Sequence, residues 1–294
     1  MDSKDLARLL LLAGLWGGSF AFMRVAAPAL GPFWLAFLRT ALAFAALLAL
    51  ALARRRLPPL RERWRDYLAI GVLNSALPFA LFSFAAQHAS ASNLAVLNAM
   101  APFFGALVAA LWLRQPLGMR QLGGMLLGLA GVALLVGWRT EPMSAAALAA
   151  VLAALAATLC YGIASVYARA RMADLPSASI ALYSQLAAAA ALAPTLAFVP
   201  LPAPPSALVM ANVLALAIAS TAIGYLLYFR LIASIGPTRA LTVTFLIPVF
   251  GVLWGVLFLD EPLAANTLSA CGLILAGTWL ATRPAHPRTA ARRA

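Results

Sequence analysis

The residues of this sequence best suited to bind a small molecule occur in pairs that lie about 146 positions apart. Some pairs carry amide or hydroxyl groups, which hydrogen-bond a polar head group, and others carry aromatic rings, which admit an apolar side chain. This combination predicts a site for a neutral or zwitterionic small molecule. The pairs are Asn74 with Ser220, Ser75 with Thr221, Asn98 with Thr244, Trp16 with Tyr161, and Phe79 and Phe82 with Tyr225 and Tyr228.

Arg39 lies about six residues inside a long apolar run, which makes it a candidate partner for a substrate carboxylate. The alternatives are that its long side chain extends to the nearer interface or binds carbonyl groups of neighbouring helices. All eight acidic residues, by contrast, fall at the ends of apolar runs or between them. We therefore expect no carboxylate at depth to carry a proton, which favours uniport or exchange. His88, near the end of a run, is the remaining titrating candidate, and its alternative role is an interfacial hydrogen bond.

These side chains must be positioned by helices that cross a membrane. The chain is 64% hydrophobic and 10% charged over 294 residues, and its mean hydropathy is +0.95. A spanning helix needs about 20 mostly apolar residues, and continuous apolar runs indicate helices rather than barrel strands. We predict an all-α membrane protein with ten transmembrane helices, at about 6–27, 33–53, 67–86, 91–113, 121–137, 146–167, 178–199, 207–229, 240–259 and 265–282.

Two motifs show that the chain contains a repeat. Pro102-Phe103-Phe104-Gly105 returns as Pro248-Val249-Phe250-Gly251, and Gln115-Pro116-Leu117 returns as Glu261-Pro262-Leu263. If each copy holds five spans, the second copy must be inverted relative to the first, an arrangement typical of secondary transporters. The predicted divisions are a first five-helix repeat at 1–140, a second at 141–283 and a basic cytoplasmic tail at 284–294.

The basic residues predict how the chain is oriented. Eighteen Lys and Arg residues fall on one set of alternate breaks, whereas only Arg24 and Arg139 fall on the other. By the positive-inside rule both termini are cytoplasmic, in a multi-pass protein of the cell inner membrane. This distribution also explains the formal charge of +13, so no nucleic-acid partner is predicted. Cys160 and Cys271 both lie in predicted spans, and we predict no disulfide, metal or cofactor.

Proline and glycine residues indicate where the helices bend and touch. Pro78, Pro102 and Pro248 each remove a helix hydrogen bond, which makes them candidate hinges or purely structural kinks. The pairs Gly14xxxGly18, Gly124xxxGly128 and Gly251xxxGly255 fit close helix contacts. One such pair could mark a homodimer face, although contacts within one chain are the commoner use. The paired polar and aromatic residues could likewise serve helix packing instead of substrate binding.

Taken together, these motifs resemble those of the drug/metabolite transporter superfamily, EamA type. The resemblance rests on Trp16-Gly17-Gly18-Ser19, Arg39 and the two doubled proline motifs, with Gln115 where the family more often has Glu. It implies a secondary transporter that exports a small metabolite by alternating access, and we favour an amino acid or a related zwitterion. The alternatives are a multidrug efflux protein, a non-transporting membrane scaffold or a membrane enzyme, although no catalytic cluster occurs within the spans.

The orientation can be tested by cysteine labelling in intact cells. We expect a cysteine at Arg61 to resist an impermeant reagent applied from outside, whereas a cysteine at Pro202 reacts. Equal labelling of the two positions from outside would contradict the orientation.

Overall fold

The computed structural model describes residues 2–55, 63–114, 118–137, 144–200, 204–236, 240 and 242–282. Over these ranges the chain is helical between short turns, and no strand occurs. The Gln115-Pro116-Leu117 motif, the division between 140 and 141 and the tail at 284–294 lie outside the described residues. The helices are α1 (Ser3–Ala53), α2 (Trp64–His88), α3 (Ala91–Trp112), α4 (Met119–Gly137), α5 (Ala145–Arg171), α6 (Ser177–Ala197), α7 (Ala207–Ile235), α8 (Val243–Leu259) and α9 (Ala265–Thr282).

Helix α1 contains 51 residues and is divided by a break at Gly31. Gly31 has φ 72° and ψ 168°, a backbone conformation that glycine adopts without a steric penalty. Pro28 and Pro32 flank this break, and each removes a backbone donor. The break gives α1 a first arm at 3–30 and a second arm at 32–53, which correspond to the first two predicted spans.

Six of these helices are long and apolar enough to cross a membrane, and α4, α8 and α9 are shorter apolar helices. In an apolar environment a helix satisfies its own backbone hydrogen bonds, which explains why these sequences fold in this way. The helices indicate a multi-pass membrane protein. The number of ten crossings, the inverted orientation of the second repeat and the cytoplasmic termini stay predictions.

The two halves make equivalent close contacts with each other. At Gly17 on the first arm of α1, an added Cβ would lie 2.7 Å from Cβ of Phe250 on α8. At Gly162 on α5, an added Cβ would lie 2.8 Å from the backbone nitrogen of Gly105 on α3. Gly162 and Gly105 are the repeat equivalents of Gly17 and Gly251. The first arm of α1 therefore packs against α8 as α5 packs against α3. All three predicted glycine pairs make contacts within this chain.

Glu261 forms a further tie between the halves at the start of α3. Its Oε1 accepts from the N–H of Ala91 at 2.6 Å, and its Oε2 accepts from the N–H and the hydroxyl of Ser92 at 2.9 Å and 2.6 Å. The first N–H groups of a helix have no partner within the helix, and the helix dipole favours an anion there. Ser90 caps the N–H of Asn93 at 3.2 Å, so Glu261 of the second proline motif completes the cap of a helix in the first half.

The glycine contacts give a direct test of this packing. We expect Gly17→Leu and Gly162→Leu each to lower the free energy of unfolding by about 1–3 kcal/mol or more, because the new side chain collides with backbone. Gly123→Leu and Gly272→Leu are matched controls, since an added Cβ at either position meets nothing within 4 Å. Thermal unfolding in detergent measures all four, and equal melting temperatures would contradict the packing.

Candidate functional site

Two π-helical segments lie at equivalent positions of the two halves, Val72–Ala76 in α2 and Ala215–Ile223 in α7. π-helical turns are rare and occur often at functional sites, because each wider turn displaces side chains and frees a backbone carbonyl. Asn74 and Ser75 lie in the first segment and Thr221 lies in the second. The two polar pairs Asn74 with Ser220 and Ser75 with Thr221 therefore lie in π-helical segments in both halves.

Arg39, on the second arm of α1, is only 7% exposed. Its Nε donates to Oγ1 of Thr221 at 3.0 Å, and its Cζ lies 3.6 Å from the centre of the Phe79 ring. The Thr221 hydroxyl in turn donates to the carbonyl of Leu216 at 2.8 Å, within the π-helical segment. The guanidinium is thus held in the interior and does not extend to a helix end. Among the described residues, no acidic side chain pairs with it.

Two more hydrogen bonds join the halves beside Arg39. Nδ2 of Asn74 lies 2.9 Å from the hydroxyl oxygen of Tyr225, and Nε2 of Gln185 donates to Oγ of Ser75 at 2.9 Å. Tyr225 interacts electrostatically with Arg39 and lies close to Ser75 and Gln185 as well. Asn74 and Tyr225 are half-buried, so this region borders accessible space.

Gln185 is the residue that the sequence analysis missed. It is completely buried on α6 and lies about 146 positions after Arg39, the spacing that defines the other pairs. Ser75 and Thr221 have the same spacing. The bond from Gln185 to Ser75 is therefore the counterpart, in the other half, of the bond from Arg39 to Thr221. Applying the repeat spacing to Arg39 would have identified it.

Aromatic rings surround this polar region. Trp16 and Tyr228 have ring centroids 5.4 Å apart, and the indole N–H of Trp16 donates to the carbonyl of Ser220 at 3.0 Å. Phe82 and Tyr161 stack with centroids 6.2 Å apart. Tyr161 also lies close enough to Arg39 to interact electrostatically. We call the following residues the central cluster: Arg39, Asn74, Ser75, Tyr161, Gln185, Thr221 and Tyr225.

Asn98 and Thr244 are separate from the contacts described above. Asn98 is half-buried on α3 just before a turn at residues 99–100, and Thr244 is half-buried near the start of α8. Of the prolines, Pro78 follows the π-helical segment of α2, Pro102 follows the turn in α3, and Pro248 lies within an unbroken α8. The matched prolines therefore differ in local structure. The roles proposed for these residues stay predictions.

Charged side chains connect the two halves at one end of the bundle. Nε of Arg63 donates to Oδ2 of Asp66 at 2.6 Å, and the hydroxyl of Tyr167 donates to Oδ1 at 2.6 Å. Arg63 also bonds the backbone carbonyl of Arg171 and the carboxylate of Asp174. The hydrogen bond to Asp66 raises the pKa of the Arg63 guanidinium above its ordinary value. These contacts tie the start of α2 to the end of α5.

A second tie lies at the matching ends of α1 and α7. The hydroxyl of Ser234 donates to Oδ2 of Asp5 at 2.7 Å, and Arg8 pairs with Oδ1 of the same carboxylate at 2.8 Å. The six acidic residues that the structure describes all lie at helix ends or in turns, as the sequence predicts. They are Asp2, Asp5, Asp66, Asp174, Asp260 and Glu261.

The bond between Asn74 and Tyr225 can be tested with a double-mutant cycle. We expect Asn74→Ala and Tyr225→Phe to be coupled by about 0.5–3 kcal/mol in the free energy of unfolding, because each removes the partner of the other. Asn74→Ala combined with Tyr167→Phe is the matched control and should be additive, because Tyr167 bonds Asp66 instead. Additive effects in the first pair would show that the bond contributes nothing.

Comparison with known proteins adds the family. The uncharacterized transporter YvbV of Bacillus subtilis (strain 168) is 24% identical over 96% of this chain and 93% of its own length. An uncharacterized transporter of Archaeoglobus fulgidus is 22% identical over 94% of this chain and 97% of its own length. A solved crystal structure at 23% identity superposes with a TM-score of 0.68 over 96% of this chain and 97% of that chain, which shows a common fold.

The EamA-like transporter family matches residues 6–137 and again residues 148–283. One match lies in each half, so the family model confirms the repeat that the motifs predict. Relatives that match along nearly the whole chain are themselves named transporters. The sequence and the arrangement of its helices therefore agree: this chain belongs to the EamA-like transporter family.

Proposed function

We propose that this protein exports a small zwitterionic metabolite, with amino acids as the favoured class, by alternating access around the central cluster. The observation that carries the proposal is the buried Arg39, which pairs with no acidic side chain among the described residues. A buried cation is costly unless it is paired, and a substrate carboxylate would supply the missing charge. Arginine binds carboxylates through two parallel hydrogen bonds.

The position of the central cluster between the halves supports a transport role. Three of its hydrogen bonds join one half to the other. They are the bonds from Arg39 to Thr221, between Asn74 and Tyr225, and from Gln185 to Ser75. In transporters built from repeats, the substrate site lies between the repeats and is exposed to each side in turn. A site made from both halves changes shape when one half moves against the other.

The ties at the helix ends fit such a movement. The contacts around Asp66 and Asp5 lie at helix ends that the positive-inside rule predicts to be cytoplasmic. Rocking of one half against the other would break them, and the wide turns of α2 and α7 would adjust near the substrate.

The side chains of the central cluster also bear on the alternative of multidrug efflux. None of the cluster residues is acidic, whereas an organic cation bound at depth requires an anionic partner. A guanidinium at the centre would in addition repel such a cargo. We therefore favour a zwitterion over a cationic drug.

Counterflow in liposomes tests both the cargo class and the energy source. Purified protein in liposomes preloaded with unlabelled leucine should accumulate labelled leucine without any pH gradient, whereas nucleosides and cationic dyes should not exchange. Arg39→Gln should reduce this exchange at least about tenfold, because the carboxylate loses its charged partner. Arg230→Gln is the matched control at an exposed position and should exchange like wild type.

Two results would refute the proposal. One is an exchange that requires a proton gradient and disappears without it. The other is an Arg39→Gln variant that transports leucine like wild type at equal protein levels.

A further inference from the structure

The amide of Gln185 uses only part of its hydrogen-bonding capacity. Nε2 donates to Ser75, but Oε1 is buried and accepts no hydrogen bond. A buried polar atom without a partner costs about 1–3 kcal/mol. Such an atom calls for an explanation, and a ligand that donates to it is one.

Packing explains one end of the Gln185 amide but not the other, because Nε2 bonds the buried Ser75 hydroxyl whereas Oε1 accepts no hydrogen bond. Gln185 lies on α6 between buried apolar neighbours that include Leu182 and Ala188. Methionine has nearly the same length and would remove the unpaired oxygen, although it would also lose the hydrogen bond to Ser75. The unpaired Oε1 therefore costs stability here, which is the pattern expected of an atom that serves binding.

Gln185 and Arg39 occupy equivalent places in the two halves, and both lie close to Tyr225. One of these places holds a cation and the other holds an amide with a free acceptor oxygen. The two sides of the central cluster thus differ in chemistry although their backbones match. An unsymmetrical pair of this kind suits a ligand with an anionic end and a donor end.

From this geometry we infer that Gln185 is a specificity-determining residue whose Oε1 accepts a hydrogen bond from the ammonium group of the cargo. The inference rests on the proposed function in one respect, namely that Arg39 binds the carboxylate of the same molecule. An α-amino acid carries both groups on one carbon atom. The cargo would then be bound in a single orientation, with its carboxylate toward the first half and its ammonium toward the second.

Binding of three small ligands to wild-type and variant protein in lipid nanodiscs distinguishes the carboxylate contact of Arg39 from the ammonium contact of Gln185. Leucine carries both groups, 4-methylpentanoate carries only the carboxylate, and 3-methylbutylamine carries only the ammonium. Gln185→Met should weaken binding of leucine and 3-methylbutylamine by about 5- to 100-fold and leave 4-methylpentanoate unchanged. Its melting temperature should stay near that of wild type, because the lost bond to Ser75 is offset by removal of the unpaired oxygen.

Two further variants complete the design. Gln185→Asn keeps the amide but withdraws it by one methylene, so it should show the same selective loss if the methionine variant folds poorly. Gln87→Met is the matched control, because the Gln87 amide donates to the carbonyl of Ala27 near a helix end. It should leave the binding of all three ligands unchanged.

The outcomes distinguish this inference from the proposed function. If both Gln185 variants bind leucine as wild type does, or lose all three ligands together with thermal stability, the inference is wrong. If Arg39→Gln still binds 4-methylpentanoate normally while Gln185→Met loses the amine, the carboxylate site is wrong and the role of Gln185 stands. If the wild-type protein binds none of the three ligands, both are wrong.

Discussion

A guanidinium buried among apolar helices must find its electrostatic partners within the protein, because lipid supplies none. The centre of this molecule depends on that constraint. Arg39 is supported by a hydroxyl from Thr221 and by the face of the Phe79 ring, neither of which is an anion. Holding these partners in place requires the second arm of α1, the helix α2 and the wide turn of α7 to meet at one point. Helix packing, the wide helical turn and the contacts of the buried cation therefore occur at the same place.

The repeat explains how much of this centre could be predicted from sequence. The spacing of about 146 residues pairs Ser75 with Thr221, and both lie in the contacts between the halves. Hydropathy likewise locates the helices, because apolar length is a property of each segment alone. The π-helical turns could not be predicted from sequence. A π-helical turn contains one additional residue, and its position in a helix depends on packing against neighbouring helices. Gln185 could not be recognised from residue type alone, because an uncharged amide within an apolar run does not stand out as Arg39 does.

The two halves share a framework but differ in the side chains at their centre. The close approach at Gly17 recurs at Gly162, and the hydrogen bond of Arg39 recurs at Gln185. Backbone contacts of this kind tolerate little change, because an added methyl group would collide. The repeat is thus preserved in the packing, whereas the side chains at the equivalent positions of Arg39 and Gln185 differ in chemistry.

The capping of α3 by Glu261 has a consequence for biosynthesis. Glu261, whose carboxylate accepts from the N–H of Ala91, lies 170 residues after Ala91 in the chain. Trp16 and its hydrogen-bond partner Ser220 are likewise 204 residues apart. At roughly 5–20 residues per second, a ribosome needs about 10–30 s to make the chain between the helix and its cap. During that interval Ser90 can cap the N–H of Asn93, but the N–H groups of Ala91 and Ser92 lack the Glu261 carboxylate, and Arg39 lacks its hydroxyl partner until Thr221 is made. The first half can therefore complete these contacts only when the chain has been made as far as Glu261, just before α9.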